Sequence, residues 1–175
     1  MYVLGKQLQD LPIISLQTGQ TVARSGKPII DPDKLEIQAF YCLSGLVVQS
    51  MAVLLVRDIR QLGRDGILID SLEEIEDATE IVRLADLIRQ RFSPIGLPVV
   101  NESGIRLGKV EEYTVKLDGY QIQKLYLKQS VLKNLLLNSL VVDRSQIMEV
   151  TVKQIVVRDA TVKEPLLGPQ PVTQK

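Results

Sequence analysis

The sequence predicts a mainly β protein made of two tandem small β-barrels joined by one α-helix. Three observations predict it: an internal repeat, an aliphatic composition, and a single stretch of helical periodicity between the copies. Hydrophobic residues make up 45% of the chain, aromatic residues only 4%, and tryptophan is absent. The core must therefore consist mostly of Ile, Leu and Val, a composition that suits β-structure.

The repeat covers most of both halves. Three segments of the first half align in order with the second half: residues 11–14 with 97–100, residues 19–42 with 104–127, and residues 53–70 with 141–158. Apolar residues match even where identity is lost, as in Ile30/Val115 and Leu62/Val150. The alternative is two unrelated β-segments that share turn chemistry. The agreement in order and spacing favours a duplicated module.

Period-two alternation predicts the strands. Apolar and polar residues alternate over residues 35–39, and residues 120–124 occupy the same place in the second copy. Asp118-Gly119 predicts a hairpin turn before the second of these strands, and Asp31-Pro32-Asp33 predicts one before the first. Further turns are predicted at Thr18-Gly19, Asp65-Gly66 and Ser103-Gly104. Each copy then has five or six short strands, and we expect barrels because closure removes unpaired edges.

A different period separates the copies. Apolar residues recur there at helical spacing, at Ile81, Leu84, Ala85, Ile88 and Phe92. Asp77 and Glu80 have the form of a capping box, in which each side chain bonds to a backbone amide at the helix start. Asp86 and Arg89 are spaced to pair on one face. The sequence therefore predicts one helix over residues 78–91.

These patterns divide the chain into four predicted segments. They are a first barrel at 1–71, a helical linker at 72–93, a second barrel at 94–162, and a tail at 163–175. The tail carries three prolines and little apolar pattern, so we expect it to be disordered. Two interpretations of the tail stay open, an inert end and a short partner-binding peptide.

Charge and hydropathy bound the cellular setting. The chain has 21 basic and 21 acidic residues, a net charge of zero, which disfavours nucleic-acid binding. No signal pattern begins the sequence, and the longest apolar stretch, residues 43–56, is too short to span a membrane as a helix. We expect a cytoplasmic protein, with peripheral attachment to a membrane complex as one option.

The glycine and apolar spacing resembles the PRC-barrel family. Modules of that family open with spaced Gly and Val residues, and the second copy has this pattern at Gly96, Val99, Gly104, Leu107 and Gly108. They close with an apolar pair, an acidic-Ile element and a final strand, matched by Leu54, Leu55, Asp58, Ile59, Leu62, Gly63, Asp65, Ile67 and Ile69. The likeness covers about residues 8–71 and 93–160. Ala23 and Thr151 depart from the pattern, which puts local turn geometry in doubt.

The resemblance implies an interaction module without an active site. The family includes the cytoplasmic domain of the photosynthetic reaction-centre H subunit and the C-terminal domain of the ribosome-maturation factor RimM. It therefore implies an adaptor that docks on a larger assembly, such as a membrane-associated or photosynthetic complex. The alternative is a ribosome-maturation or RNA-associated factor resembling RimM.

Residues suited to catalysis are scarce. The sequence has no histidine and one cysteine, Cys42, so it offers no histidine-activated nucleophile and no histidine or cysteine zinc site. It also lacks a glycine-rich phosphate loop. We expect no catalytic, cofactor-binding or metal-binding residues, and we expect that the protein is not an enzyme.

Two apolar segments are the candidate partner contacts. They are Leu46, Val47 and Val48 in the first copy and Leu135, Leu136 and Leu137 in the second. Both fall where connecting segments are ordinarily polar. One interpretation is that they form short core strands or the contact between barrels. The other is that they form an exposed patch for a protein partner or a membrane surface. Under the adaptor hypothesis, these segments and the groove between the two barrels bind the protein partner.

The remaining candidates have ordinary structural interpretations. Cys42 follows an apolar strand, and we expect a buried, unreactive thiol. The acidic run at 73–80 fits a solvated approach to a helix N-terminus, with cation or basic-partner binding as the alternative. Asp31 and Asp33 fit a turn better than a metal loop. Basic side chains form two candidate RNA surfaces or solvated strand faces: Lys124, Lys128 and Lys133 with Tyr120 and Tyr126, and Arg57, Arg60 and Arg64.

Overall fold

The computed structural model describes residues 1–45, 51–128 and 140–158. Over these residues the chain is mainly β, as the composition predicts. The strands are β1 (Tyr2–Leu4), β2 (Pro12–Ser15), β3 (Thr21–Asp31), β4 (Glu36–Gly45), β5 (Ala52–Leu55), β6 (Gln61–Leu62), β7 (Ile67–Ile69), β8 (Ile75–Asp77), β9 (Pro98–Asn101), β10 (Arg106–Lys116), β11 (Gln121–Lys128), β12 (Leu140–Asp143), β13 (Ile147–Val150) and β14 (Ile155–Val157). One α-helix among the described residues, α1 (Val82–Gln90), lies between β8 and β9. Short 3-10 helices are Gly5–Leu8, Val56–Asp58, Leu72–Glu74, Ala78–Glu80 and Arg144–Gln146.

The two halves use the same order of strand pairing. Strands β2 to β5 pair antiparallel in sequence, and so do strands β9 to β12. A parallel pair then returns each half to its first strand, with Ile13 opposite Ile67 and Val99 opposite Ile155. Because each half returns to its own beginning, the sheet curls into a half-barrel.

The halves join through their central strands. Glu36 of β4 lies opposite Gln121 of β11. On either side, the Ile37 amide donates to the Tyr120 carbonyl over 3.0 Å, and the Ile122 amide donates to the Leu35 carbonyl over 2.8 Å. All strands of the described residues consequently belong to one 14-stranded sheet. Its division into two closed barrels stays a prediction.

The first strand crosses to the second half. Val3 of β1 lies opposite Val115 of β10, and the Leu117 amide donates to the Met1 carbonyl over 3.1 Å. The main hydrophobic core follows this crossing, since it combines Val3 and Phe40 with residues of the second half such as Leu125. Two smaller clusters lie within the first half, one between β2, β3, β5 and β7 and one beneath α1.

The predicted hairpin turns are confirmed. Asp31 Oδ1 accepts from the amide of Asp33 over 2.9 Å, which closes the turn between β3 and β4. Gly119 takes a positive φ of 84° in the matching turn between β10 and β11, where glycine escapes the steric cost that other residues incur. Each of these turns ends on a non-glycine residue in the left-handed region, Leu35 at φ 50° and Tyr120 at φ 53°.

The helix begins later than predicted. Residues 78–80 form a 3-10 turn, and α1 starts at Val82. Asp77 accepts from the Thr79 amide over 2.9 Å and so caps the 3-10 turn, whereas α1 has no side-chain cap at Ile81. The Ala78 amide is held by the Met51 carbonyl at 2.9 Å. Pairing of β8 with β5 thus fixes these residues before a helix can start.

The predicted ion pair on the helix forms, whereas the predicted helical linker is only partly helical. The Asp86–Arg89 ion pair forms as predicted. The segment predicted as a helical linker also contains β8, whose Glu76 lies opposite Val53 of β5. Periodicity within the segment does not reveal β8. Its partner β5 lies earlier in the chain, beyond the β6–β7 pair.

Candidate functional site: a groove between the two halves

A concave groove lies between α1, β3 of the first half and β10 of the second half. Its cavity volume is about 740 Å³, within the range of ligand-binding clefts. The groove is defined by side chains from the 3-10 helix Gly5–Leu8, from β3 and β4, from α1 and the residues after it, and from β10. These lining side chains include Lys6, Lys27, Tyr41, Ile88, Arg91, Ile95 and Glu112.

Two β-bulges contribute residues to the groove. The pairing of β3 shifts register between Ser25 and Pro28, and that of β10 shifts between Val110 and Glu112. Pro28 has no amide hydrogen to give to a ladder, so it suits such an irregular position. A bulge re-aims the side chains beside it, and Lys27 is exposed at this point and lines the groove.

The end of α1 also contributes residues to the groove. Arg91 adopts the left-handed conformation at φ 47°, and its amide donates to the Ile88 carbonyl over 3.2 Å. This reversal ends the helix and lets the next residue, Phe92, enter the main core at 8% exposure. Arg91 itself stays exposed at the rim.

The groove has an apolar lining. Ile88 and Tyr41 are half-buried and pack against the cluster beneath α1. Ile95 is 45% exposed and belongs to none of the three core clusters. The apolar surface of these side chains that faces the groove stays in contact with water while the groove is empty. An apolar ligand removes that surface from water, which favours its binding.

Charge is distributed unevenly around the groove. Glu111 lies 3.8 Å from Lys128, and Glu112 Oε1 accepts from the Tyr113 amide over 2.9 Å. By contrast, no ion pair among the described residues involves the cations at Lys6, Lys27 or Arg91. The lining thus holds three cations and two carboxylates, and Glu111 also has Lys128 beside it. Burial, with a smaller effect of Glu112, raises the pKa of the Tyr113 hydroxyl.

The six predicted contact residues lie outside the part of the chain that the structure describes. Residues 46–48 and 135–137 fall in the two internal ranges left out of the description. The sequence predicts a partner-binding groove between the barrels, but it does not identify the lining residues, because the walls come from segments far apart in the chain. One local signal was present: Pro28 within an apolar strand run marks a bulge or an edge.

Cys42 is half-buried, so it is less enclosed than the sequence predicts. Burial raises the pKa of its thiol to about 12, so the reactive thiolate is scarce at neutral pH. Its side chain is half-buried against the second core cluster.

The other charged candidates take part in local contacts. Arg60 pairs with Asp70, and Arg57 Nη2 lies 3.7 Å from Glu76. Within the acidic run, hydrogen bonds from Thr79 lower the pKa of Asp77. No group of three or more metal-ligating side chains occurs among the described residues. Lys133 lies outside these residues.

Comparisons with known proteins leave the chain without an assigned family. No protein-family model matches the sequence, and no curated protein matches it. In the described part of the chain, α1 is too short to cross a bilayer, and no other helix there is long and apolar enough to do so.

Proposed function

We propose that this chain is a non-enzymatic adaptor built from two PRC-type modules, and that the groove docks a segment of a protein partner. The observation that carries the proposal is the groove itself, in which half-buried apolar side chains lie inside a rim of exposed charges. A contact with an apolar centre and a polar rim is typical of protein recognition.

Similar turn contacts in the two halves support the proposal that the chain consists of two modules. The turns after β2 and β9 are closed by similar contacts. The Gly19 amide donates to the Ser15 carbonyl, four residues earlier, over 2.8 Å, and the Gly104 amide donates to the Asn101 carbonyl, three residues earlier, over 2.9 Å. Both glycines have positive φ. The sequence resemblance to the PRC-barrel family supports the module type.

The same proposal places the adaptor in the cytoplasm, free or at the surface of a membrane complex. The proposal also assigns residues 46–48 and 135–137 as contacts with the protein partner. These segments follow β4 and β11, the two strands that meet at the junction.

One substitution at the groove tests the proposal. Ile95→Glu places a charge on an exposed lining residue outside the cores, so the fold is expected to survive. Ile105→Glu is the matched control, because Ile105 is 61% exposed and lies outside the groove. Each tagged protein is used to capture partners from a lightly crosslinked lysate of its native cells, with proteins and RNA counted together.

We expect the wild type and Ile105→Glu to recover the same protein complex, and Ile95→Glu to recover it at least about tenfold less. Equal recovery by Ile95→Glu would show that the groove is not the docking site. Recovery of ribosomal proteins with rRNA would instead favour the ribosome-maturation alternative.

A further inference from the structure

We propose that the segment bound in the groove is an acidic amphipathic peptide, with apolar side chains that enter the cavity and carboxylates that meet Lys6, Lys27 and Arg91. This inference rests on the proposed function and specifies the chemistry of the partner. The partner is defined here by charge and apolarity alone.

Three cations from different elements meet at the groove. Lys6 comes from the 3-10 helix that follows β1, Lys27 from the bulge of β3, and Arg91 from the end of α1. All three side chains are exposed and line one cavity. They come from three separate parts of the chain, so no local helix or strand pattern accounts for their meeting at one cavity.

The two carboxylates of the lining, Glu111 and Glu112, offset the three cations only in part. Glu111 lies 3.8 Å from Lys128, a further cation at its side, and Glu112 keeps its charge while it accepts from the Tyr113 amide. The described residues therefore leave a positive excess at the groove, although the chain as a whole has no net charge. A basic or neutral peptide would leave that excess unmatched, whereas an acidic one complements it.

Cavity shape favours a peptide over a membrane surface. The apolar lining lies inside a concavity of about 740 Å³, bounded by α1 on one side and β10 on another. A flat bilayer contacts side chains that protrude and leaves such a concavity unfilled. A peptide fills it with two or three apolar side chains while its carboxylates stay at the rim.

The test selects peptides from a random 12-residue display library on the full chain at low salt. Selected peptides are then measured against two triple variants that change the net charge equally. The groove variant is Lys6→Glu/Lys27→Glu/Arg91→Glu. The control is Arg83→Glu/Arg106→Glu/Lys153→Glu, whose parent residues are exposed and lie outside the groove. Ile95→Glu is measured in parallel.

We expect the selected peptides to combine Asp or Glu with Leu, Ile or Phe. Their affinity should fall roughly tenfold or more in the groove variant and stay within about twofold in the control, and it should weaken with added salt. Basic or uncharged selected peptides, or no selected peptide at all, would overturn the inference.

Two outcomes separate this inference from the proposed function. If Ile95→Glu leaves the selected peptides bound, the groove is not their site and both proposals fail. If Ile95→Glu releases them but the charge-reversed groove variant does not, only the acidic character of the partner is wrong. Cosedimentation with phosphatidylglycerol vesicles that the groove variant abolishes, without peptide selection, would assign the cations to a membrane surface and overturn the inference.

Discussion

Glu36 and Gln121 meet at the junction of the two halves, where Gln121 Nε2 donates to Glu36 Oε1 over 2.8 Å. They are 85 positions apart in the chain, the offset that aligns residues 19–42 with 104–127. Each therefore occupies the same place in its own half. The reciprocal backbone bonds from Ile37 and Ile122 give this junction a local two-fold symmetry.

A double-mutant cycle should detect this contact. Glu36→Ala and Gln121→Ala each remove one partner of a part-buried hydrogen bond, so the two losses should not add. We expect a coupling free energy of about 1 kcal/mol, measured by urea unfolding of the four proteins. Additive losses would mean that the side chains contribute nothing to the junction beyond the backbone bonds around them.

Arg144 should stabilise the same junction from the second half. Its guanidinium donates to the carbonyls of Lys34 at 2.5 Å, Ile122 at 3.3 Å and Leu35 at 3.5 Å. We expect Arg144→Ala to lower the free energy of unfolding by about 2 kcal/mol, because it leaves these acceptors without their charged donor. Arg144→Lys should recover only part of the loss, since an ammonium lacks the planar fork.

Arg106→Ala is the control for this measurement. Arg106 is exposed at the start of β10, where it lies opposite Val100 of β9 and away from the junction, so a change within about 0.5 kcal/mol is expected. An effect of Arg144→Ala no larger than this would remove the assigned role.

Gly5 should not tolerate a side chain. A Cβ at this position would lie 2.4 Å from Tyr113 Cζ, in the ring that closes one side of the main core. We expect Gly5→Ala to cost about 1–3 kcal/mol in unfolding free energy, through displacement of the ring. At Gly63 a Cβ meets no atom within 4 Å, so Gly63→Ala should be neutral or slightly stabilising in the same denaturation assay.

The Cys42 thiol should be protected and pH-sensitive. Because burial raises its pKa to about 12 from an unfolded value of 9.0, the folded state favours the neutral thiol. This contribution to stability is complete below about pH 9 and is lost as the pH rises toward 12. Reaction with a thiol-specific disulfide reagent at pH 8 should be slow in buffer and fast in guanidinium chloride.

Cys42→Ala provides the comparison for the alkaline range. Between pH 9 and the onset of base denaturation, the wild type should lose stability more steeply than the variant, because tyrosines and lysines titrate equally in both. Parallel curves, together with rapid native labelling, would show that the thiol is not protected.

Local turn chemistry made much of the fold predictable. Asp31 and Gly119 specify their turns through a side-chain acceptor and a tolerated positive φ, and neither depends on distant residues. The helix start was not predictable in this way. Asp77 is an equally good cap for a 3-10 turn and for an α-helix, and pairing of β8 with β5 decided between them.

The sequence predicts a groove between the barrels, but the residues that line it were not predictable for a related reason. Lys27, Arg91 and Glu112 each look like an ordinary solvated charge in their own segment. They line one cavity only because β4 and β11 pair and β1 crosses to β10. Neither contact follows from a periodicity of the sequence. The candidate partner contacts were therefore placed in the two apolar segments at 46–48 and 135–137.

The crossing of β1 also constrains how the chain is made. On the ribosome, β1 leaves the exit tunnel before its neighbour β10, from which it is separated by β2 to β9. Val3 has no strand partner until Val115 has been synthesised, and the main core stays incomplete until then. We therefore expect the nascent chain to acquire protease resistance late and in one step, and a product stalled within α1 to depend on chaperones.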